Sequence, residues 1–94
     1  MTKTHRATLT ISNDLGLHAR AATMFVKTAA QFQSEIFVEK GGREVNGKSI
    51  MGLLTLVAAR GTQIHLRSEG EDGDAQIDAL RALIDGKFGE DRSR

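Results

Sequence analysis

Residues 34–46 read SEIFVEKGGREVN, and this stretch decides the fold class of the chain. Ile36 and Val38 alternate with polar neighbours, which is the period of a half-buried β-strand. The Gly-Gly pair at 41–42 follows, and such a pair between two strand-like runs is typical of a tight hairpin. Residues 43–46 then predict a short return strand. Because a hairpin joins antiparallel neighbours, an all-parallel sheet is excluded.

The segments on either side of the hairpin alternate between strand and helix patterns. Residues 7–11 place apolar side chains at every second position and predict a strand. From His18 to roughly Ala30 the apolar residues recur at the spacing of an amphipathic helix. After the hairpin, Ser49 is a good N-cap for a short helix over residues 50–54.

The C-terminal third predicts a strand over residues 63–68 and a last helix that residues 72–74 open. The inward-facing stripe of this helix is apolar and consists of Ile77, Leu80, Leu83, Ile84 and Phe88. The order of elements is therefore β-α-β-β-α-β-α. We expect an α+β open-faced β-sandwich, in which a four-stranded antiparallel sheet carries three helices on one face.

Composition limits the classes of function. A chain of 94 residues suits a single domain spanning residues 1–94. Lys and Arg total 13 against 12 Asp and Glu, and this balance argues against a nucleic-acid partner. The chain has no Cys and only three separated His, so we expect no metal and no disulfide. Residues 89–94 are small and charged and are expected to fray.

Nothing in the sequence predicts insertion into a membrane. The longest mostly apolar run, residues 50–59, is about half the length of about 20 residues that a membrane helix needs. The first ten residues, MTKTHRATLT, lack the apolar segment of a secretory signal. We therefore expect a cytoplasmic protein.

Residues 42–49 fit the pattern G-x-x-x-x-G-K-S of a phosphate-binding P-loop. Such a loop must follow a buried parallel strand, and a magnesium-holding Asp must end another strand. Here residues 43–46 are expected to form a hairpin strand, and no later apolar strand ends in Asp. A small nucleotide binder is therefore the weakest of the alternatives.

His18 stands where the first long helix should begin, with Gly16 before it and Arg20 after it. A helix N-terminus presents free backbone N–H groups and the positive end of the helix dipole, and both attract phosphate. A ring nitrogen at this place, with Arg20 able to bind phosphate oxygens, could accept a phosphoryl group. The alternative is a histidine that only caps a solvated helix end.

Ser49 precedes an apolar helix and allows two interpretations. It could be a simple helix cap above residues that enter the core. However, apolar residues at positions 50, 51, 53 and 54 cannot all be buried on one narrow face, so some of Ile50, Met51 and Leu54 should be exposed. An exposed apolar patch that contains Met suggests a surface for docking a partner. A phosphate on Ser49 would place negative charge beside that patch.

Two strings together resemble a known family. GLHARAA at residues 16–22 and NGKSIMGLLTLVAARGTQI at residues 46–64 are similar to the HPr family of histidine-containing phosphocarriers of the bacterial phosphoenolpyruvate-dependent phosphotransferase system. The resemblance covers nearly the whole chain. The order of elements predicted above agrees with the βαββαβα sandwich of that family.

The resemblance implies roles for individual residues. His18 would be the active-site histidine, phosphorylated on Nδ1, and Arg20 would stabilise the phosphoryl group. Ser49 would be the regulatory serine that a kinase/phosphorylase modifies in many members. Enzyme I would be the phosphoryl donor and enzyme IIA domains the acceptors, with no cofactor. The family docks these partners at positions that correspond here to Leu17, Thr23, Lys27, Lys48, Ile50, Met51, Gly52 and Leu54.

Two residues depart from the family pattern. Ala21 stands where the family usually has Pro, and it should leave the first helical turn slightly looser. Leu15 replaces a small polar residue of some members and loses an extra phosphate contact. The string NDLGLHARAA also resembles the nitrogen-related branch, which signals rather than feeds sugar uptake. We expect a monomeric, stoichiometric phosphocarrier of sugar uptake that is not itself an enzyme, with a nitrogen-type regulatory carrier as the alternative.

Overall fold

The predicted order of elements is confirmed in a computed structural model, which describes residues 3–90. The strands are β1 (Thr4–Thr10), β2 (Glu35–Lys40), β3 (Arg43–Asn46) and β4 (Gln63–Glu69). The helices are α1 (Ala19–Ala29), α2 (Ile50–Leu54) and α3 (Gly73–Asp85), and one 3₁₀ turn follows at Lys87–Gly89. The fold is the open α+β sandwich that the sequence predicts.

The sheet has the strand order β1-β4-β2-β3, and every neighbouring pair is antiparallel. Leu66 of β4 lies opposite both Ala7 of β1 and Val38 of β2, so apolar side chains form a continuous row on one face. Gly41 and Gly42 have φ of +60° and +86°, the left-handed values that a tight hairpin loop requires. The residues of the P-loop pattern therefore include an edge strand of the sheet, as the hairpin predicted.

The core lies between the apolar face of the sheet and the helices. Phe25 of α1, Leu53 of α2 and Leu80 of α3 are fully buried there, as are Ile36 and Ile64 of the sheet. The apolar face of the sheet and the apolar stripes of the helices thus cover each other, which accounts for the layered architecture.

The end of the last helix differs from the prediction. α3 stops at Asp85, so Phe88 does not continue its stripe. Phe88 instead lies in the 3₁₀ turn with φ of +55°, and the turn directs its ring into the core. Leu83 is only partly buried. Gln76, which the predicted stripe omits, is fully buried.

A network of polar groups lies at the C-terminal end of α1. The Nε2 of Gln76 donates to the carbonyls of Ala29 and Ser34 at 3.0 and 3.1 Å, and its Oε1 accepts from the Ser68 hydroxyl at 2.5 Å. The carboxylate of Asp72 accepts from the backbone N–H groups of Gln33 and Ser34 at 2.8 and 2.9 Å and from the Ser34 hydroxyl. Asp72 was expected only to open α3, but its side chain ties that helix to the start of β2.

Candidate phosphoryl-transfer site

The loop between β1 and α1 depends on Gly16. Gly16 has φ of +70°, and a Cβ at this position would lie 2.6 Å from the carbonyl oxygen of Ala58. The backbone of the next residue, Leu17, donates to that same oxygen at 2.8 Å. Glycine is therefore required both for the conformation and for the close approach of two segments. This approach places His18 at the start of α1.

His18 is the N-cap of α1. Its backbone is extended, and its Nδ1 accepts a hydrogen bond from the backbone N–H of Arg20 at 3.2 Å. The Nδ1 atom is thus directed at the free N–H groups of the first helical turn, where an anion is favoured. The side chain of His18 is 28% exposed, so the ring is partly shielded but within reach of a partner.

Glu90 shields the other edge of the ring, in a contact that no sequence pattern predicts. The Oε2 of Glu90 lies 3.2 Å from the Nε2 of His18 and 2.7 Å from the Nδ2 of Asn13. The expectation that residues 89–94 fray is wrong for Gly89 and Glu90, because the turn after α3 carries Glu90 back to the start of α1. The remaining four positions lie outside the described residues.

Three other residues to which the resemblance assigns a role lie on α1. The Arg20 side chain is exposed, and within residues 3–90 it enters no ion pair, so its guanidinium is available to an anion. Lys27 is exposed in the last turn. The hydroxyl of Thr23 donates to the carbonyl of Ala19 at 2.8 Å. Ala21, in the place of the usual proline, is fully buried.

Ser49 caps α2 as predicted. Its side-chain oxygen accepts from the backbone N–H of Gly52 at 3.0 Å. The prediction that α2 leaves apolar residues exposed is also confirmed, because Met51 is 72% exposed and Ile50 lies at the surface beside it. Leu54 is partly buried against the core.

A depression of about 260 Å³ lies beside the His18 ring. It brings His18 together with Leu54 of α2 and with Val57, which is 74% exposed. The other lining residues are Leu15, Leu17, Ala58 and Ala59. The histidine thus stands at the edge of a largely apolar surface depression.

Val57 holds a strained conformation in this surface. Its φ is +49°, which a β-branched residue rarely adopts. The Nζ of Lys40 donates to the carbonyls of Leu56 and Val57 at 3.0 and 3.1 Å and stabilises the turn. Such strain is typical of binding sites, where the surrounding structure maintains it. No sequence pattern indicates a positive φ at a valine, so Val57 was missed.

Two of the residues predicted to dock partners are largely engaged within the protein. Leu17 is 5% exposed and belongs to the core, because its backbone is bound to Ala58 and its side chain turns inward. It supports the loop from beneath and offers a partner little surface. The ammonium of Lys48 donates to the carbonyl of Phe32 at 2.9 Å, so this charge is already bound within the protein.

The other two histidines lie away from this site. His65 is exposed on the uncovered face of the sheet, beside a larger depression of about 550 Å³. The charged groups there are mostly paired, as in the 2.9 Å contact between Arg67 and Glu44. The larger volume of this depression is therefore not by itself evidence of a functional site. His5 belongs to β1 and is partly buried.

Within residues 3–90, no group of three or more His, Asp or Glu could hold a metal ion. None of the helices in that part of the chain is long and apolar enough to cross a membrane.

Comparison with known proteins gives the family. Residues 5–86 match the family model described as "PTS HPr component phosphorylation site". The chain belongs to the HPr family. As an HPr-family member it is a phosphocarrier of the phosphotransferase system, and the resemblance seen in the sequence is confirmed.

Relatives in the family are similar over most of their length. The phosphocarrier protein HPr of Neisseria meningitidis serogroup A is 52% identical over 85 residues, covering 90% of this chain and 96% of the relative. The phosphocarrier protein NPr of Shewanella violacea is 46% identical over 90 residues, covering 96% and 98%. The crystal structure of HPr from Thermoanaerobacter tengcongensis superposes with a TM-score of 0.89 at 47% identity, covering 93% and 98%.

Proposed function

We propose that His18 accepts a phosphoryl group from enzyme I and passes it to enzyme IIA domains during sugar uptake. The observation that carries this proposal is the contact between Nδ1 of His18 and the backbone N–H of Arg20 at 3.2 Å. It places one ring nitrogen of a partly exposed histidine against a helix N-terminus, where a phosphate dianion is favoured.

The geometry supports a transient phosphohistidine. In the phosphorylated form the phosphorus replaces the Arg20 N–H as the neighbour of Nδ1 and lies close to the free N–H groups of α1. The helix end contributes about 0.3–1 kcal/mol to an anion. The exposed Arg20 guanidinium adds a charge-assisted hydrogen bond. Such modest stabilisation suits a carrier, because a tightly held phosphoryl group would not be transferred onward.

The partners would dock on the apolar surface beside the ring. Met51 and Ile50 of α2 supply exposed apolar area, and Lys27 of α1 supplies an exposed positive charge for an acidic partner. The remaining positions proposed for docking are Thr23, Gly52 and Leu54, with smaller contributions from Lys48 and Leu17.

Ser49 is proposed as a regulatory site for a kinase/phosphorylase. Its hydroxyl already accepts one N–H at the start of α2, so a phosphate there would be tolerated by the helix. The added negative charge would lie next to Ile50 and Met51 and would weaken docking of an acidic partner.

The protein is proposed to act as a stoichiometric carrier rather than as an enzyme. It would work as a monomer, without cofactor, metal or nucleic acid, and its partners would supply the rest of the catalytic machinery. We place it in the cytoplasm, because phosphoenolpyruvate, the source of the phosphoryl group, is a cytoplasmic metabolite.

A second candidate is a regulatory carrier of the nitrogen-related branch. The 46% identity to an NPr over 96% of the chain supports this second candidate. The two functions share the His18 chemistry and differ in the acceptor. Rates of transfer from the phosphorylated protein to sugar-type and nitrogen-type enzyme IIA domains separate them.

The direct test is labelling with enzyme I and labelled phosphoenolpyruvate. We expect acid-labile phosphate on the wild type, none on His18→Ala, and normal labelling of His65→Ala, whose histidine lies on the uncovered face of the sheet. Unchanged labelling of His18→Ala would refute the assignment of the site. Circular dichroism confirms that both variants fold.

A further inference from the structure

Glu90 and Asn13 form a link to His18 that the proposed function does not use. The chain returns from α3 through the turn Lys87–Gly89 and brings Glu90 to the start of α1. One carboxylate oxygen then lies 3.2 Å from Nε2 of His18 and 2.7 Å from Nδ2 of Asn13. The ring therefore faces a backbone donor on its Nδ1 side and a carboxylate on its Nε2 side.

This carboxylate is held in place rather than freely rotating. Asn13 is fully buried, and its Nδ2 donates to the carbonyl of Gly16 at 2.7 Å as well as to Glu90. The side chain of Glu90 is only 11% exposed. Both features mean that the carboxylate is fixed by the same loop that positions His18.

The carboxylate also stays ionised. The hydrogen bond from Asn13 lowers the pKa of Glu90 most, and the contact with His18 and the backbone N–H of Asp14 add to this against the opposing effect of burial. Of the charged side chains nearby, Asp14 is paired with Arg60 at 2.9 Å, and Lys87 belongs to the turn that carries Glu90. A fixed negative charge thus faces Nε2.

We propose that Glu90 is a positioning residue for phosphoryl transfer, which accepts the Nε2–H of His18 and stabilises the positive charge that the ring gains when Nδ1 is phosphorylated. This inference rests on the proposed function. A carboxylate that orients a histidine and stabilises its cationic form has the same role in hydrolase triads.

The step is balanced without any further reactant. The lone pair of Nδ1 forms the bond to phosphorus, while the bond from phosphorus to the donor breaks and its electron pair stays with the donor. The ring keeps its proton on Nε2 and becomes cationic beside the Glu90 carboxylate. In onward transfer a lone pair of the acceptor domain forms the new bond to phosphorus, the P–N bond breaks, and its electron pair returns to Nδ1. The ring is then again neutral with its proton on Nε2.

The test compares Glu90→Gln with the wild-type full chain. The amide oxygen of Gln can still accept Nε2–H, so this change removes the charge while preserving the shape. The matched control is Glu71→Gln, which neutralises an exposed carboxylate whose neighbour is Lys3 at 3.7 Å. Initial rates of charging by enzyme I and phosphoenolpyruvate are measured over a range of carrier concentrations, to separate kcat from KM.

We expect kcat for charging of Glu90→Gln to fall about tenfold with little change in KM, since a hydrogen bond to a charged group is stronger than one to a neutral group. The pH profile for hydrolysis of the phosphorylated protein should also move to lower pH, because the cationic phosphorylated ring loses its counter-charge. Glu71→Gln should match the wild type in both measurements.

Two other results would overturn the inference in different ways. Wild-type kcat and an unmoved pH profile in Glu90→Gln would show that Glu90 only tethers the turn, while labelling of wild-type His18 would leave the proposed function standing. Absence of label on wild-type His18 would remove the proposed function, and this inference with it.

Discussion

The two ends of α1 differ in how fully their polar groups are hydrogen-bonded. At the C-terminal end, the buried amide of Gln76 has a partner for its oxygen and two for its nitrogen, and Asp72 accepts three hydrogen bonds. At the N-terminal end, Val57 is strained and highly exposed, and Nδ1 of His18 has one weak backbone contact. We refer to these as the closed end and the reactive end.

The difference shows how a small domain separates stability from reactivity. Satisfied buried hydrogen bonds at the closed end stabilise the fold, because each group would be costly to leave unpaired. At the reactive end lie the ring of His18 and the exposed apolar residues that we propose to meet a phosphate or a partner, and the local strain is maintained by the surrounding structure. Substitutions should therefore affect stability mainly at one end and transfer mainly at the other.

Gly16→Ala should have the largest effect and would break this separation, because the loop at the reactive end depends on it. The new Cβ would lie 2.6 Å from the Ala58 oxygen at φ of +70°. We expect a loss of about 3 kcal/mol or more in the free energy of unfolding, from both conformation and clash. Gly61→Ala is the control, since φ is +88° but nothing lies within 4 Å of its Cβ. Equal losses in urea denaturation of the two variants would contradict the steric argument.

Gln76→Ala should destabilise the closed end without slowing phosphoryl transfer. It leaves the Ser68 hydroxyl and the Ser34 carbonyl without their partner, while the Ala29 carbonyl keeps the backbone N–H of Phe32 at 3.2 Å. We expect a loss of about 2–4 kcal/mol, measured by urea denaturation. The exposed Gln31→Ala is the control and should change little. A variant that kept wild-type stability would show that the network contributes nothing.

Asp72→Asn tests the closed end through the pH dependence of its contribution to stability. The hydroxyl of Ser34 lowers the pKa of Asp72 most, followed by the backbone N–H of Gln33. Because the pKa is lower in the folded state, the carboxylate contributes stability above the unfolded pKa of about 3.9, and this is lost as the pH falls through the folded pKa. The stability of wild type and variant should therefore converge in acid, as followed by thermal melts from pH 7 to pH 2. A gap that stays constant over this range would contradict the account.

Ser49→Asp should have the smallest effect on stability and act only at the reactive end. Asp caps a helix about as well as Ser, so the free energy of unfolding should change by less than about 0.5 kcal/mol. The initial rate of charging by enzyme I should fall, because negative charge is added beside Met51. Ser49→Asn, a neutral cap, is the control. Equal rates for the two variants would mean that charge at this position does not affect docking.

Local pattern was sufficient to predict most of the fold. Alternation in Ile36 and Val38, the glycine pair of the hairpin and the cap at Ser49 each act over a few residues, and the structure confirms each of them. The placement of His18 at a helix start was likewise predicted from the sequence, because a helix boundary is a local property.

The rest of the site depends on contacts between distant segments. Glu90 contacts His18 although the two residues are 72 positions apart in the sequence. The charged residues near Glu90 form no pattern that would predict this contact. Leu17 is adjacent to His18 in sequence, which suggests a place at the surface. In the structure it is buried, and its backbone N–H donates to the carbonyl of Ala58. The burial of Gln76 could have been predicted. It falls beside Ile77 on the apolar stripe of α3, where a polar residue requires buried partners.

The most direct test of the account is to find which ring nitrogen of His18 carries the phosphoryl group. The protein labelled uniformly with ¹⁵N is charged by enzyme I and phosphoenolpyruvate, and the ring nitrogens are assigned by their coupling to phosphorus. We predict phosphorus on Nδ1, the nitrogen directed at the start of α1, with Nε2 still protonated beside Glu90. Phosphorus on Nε2, or on another histidine, would contradict the account.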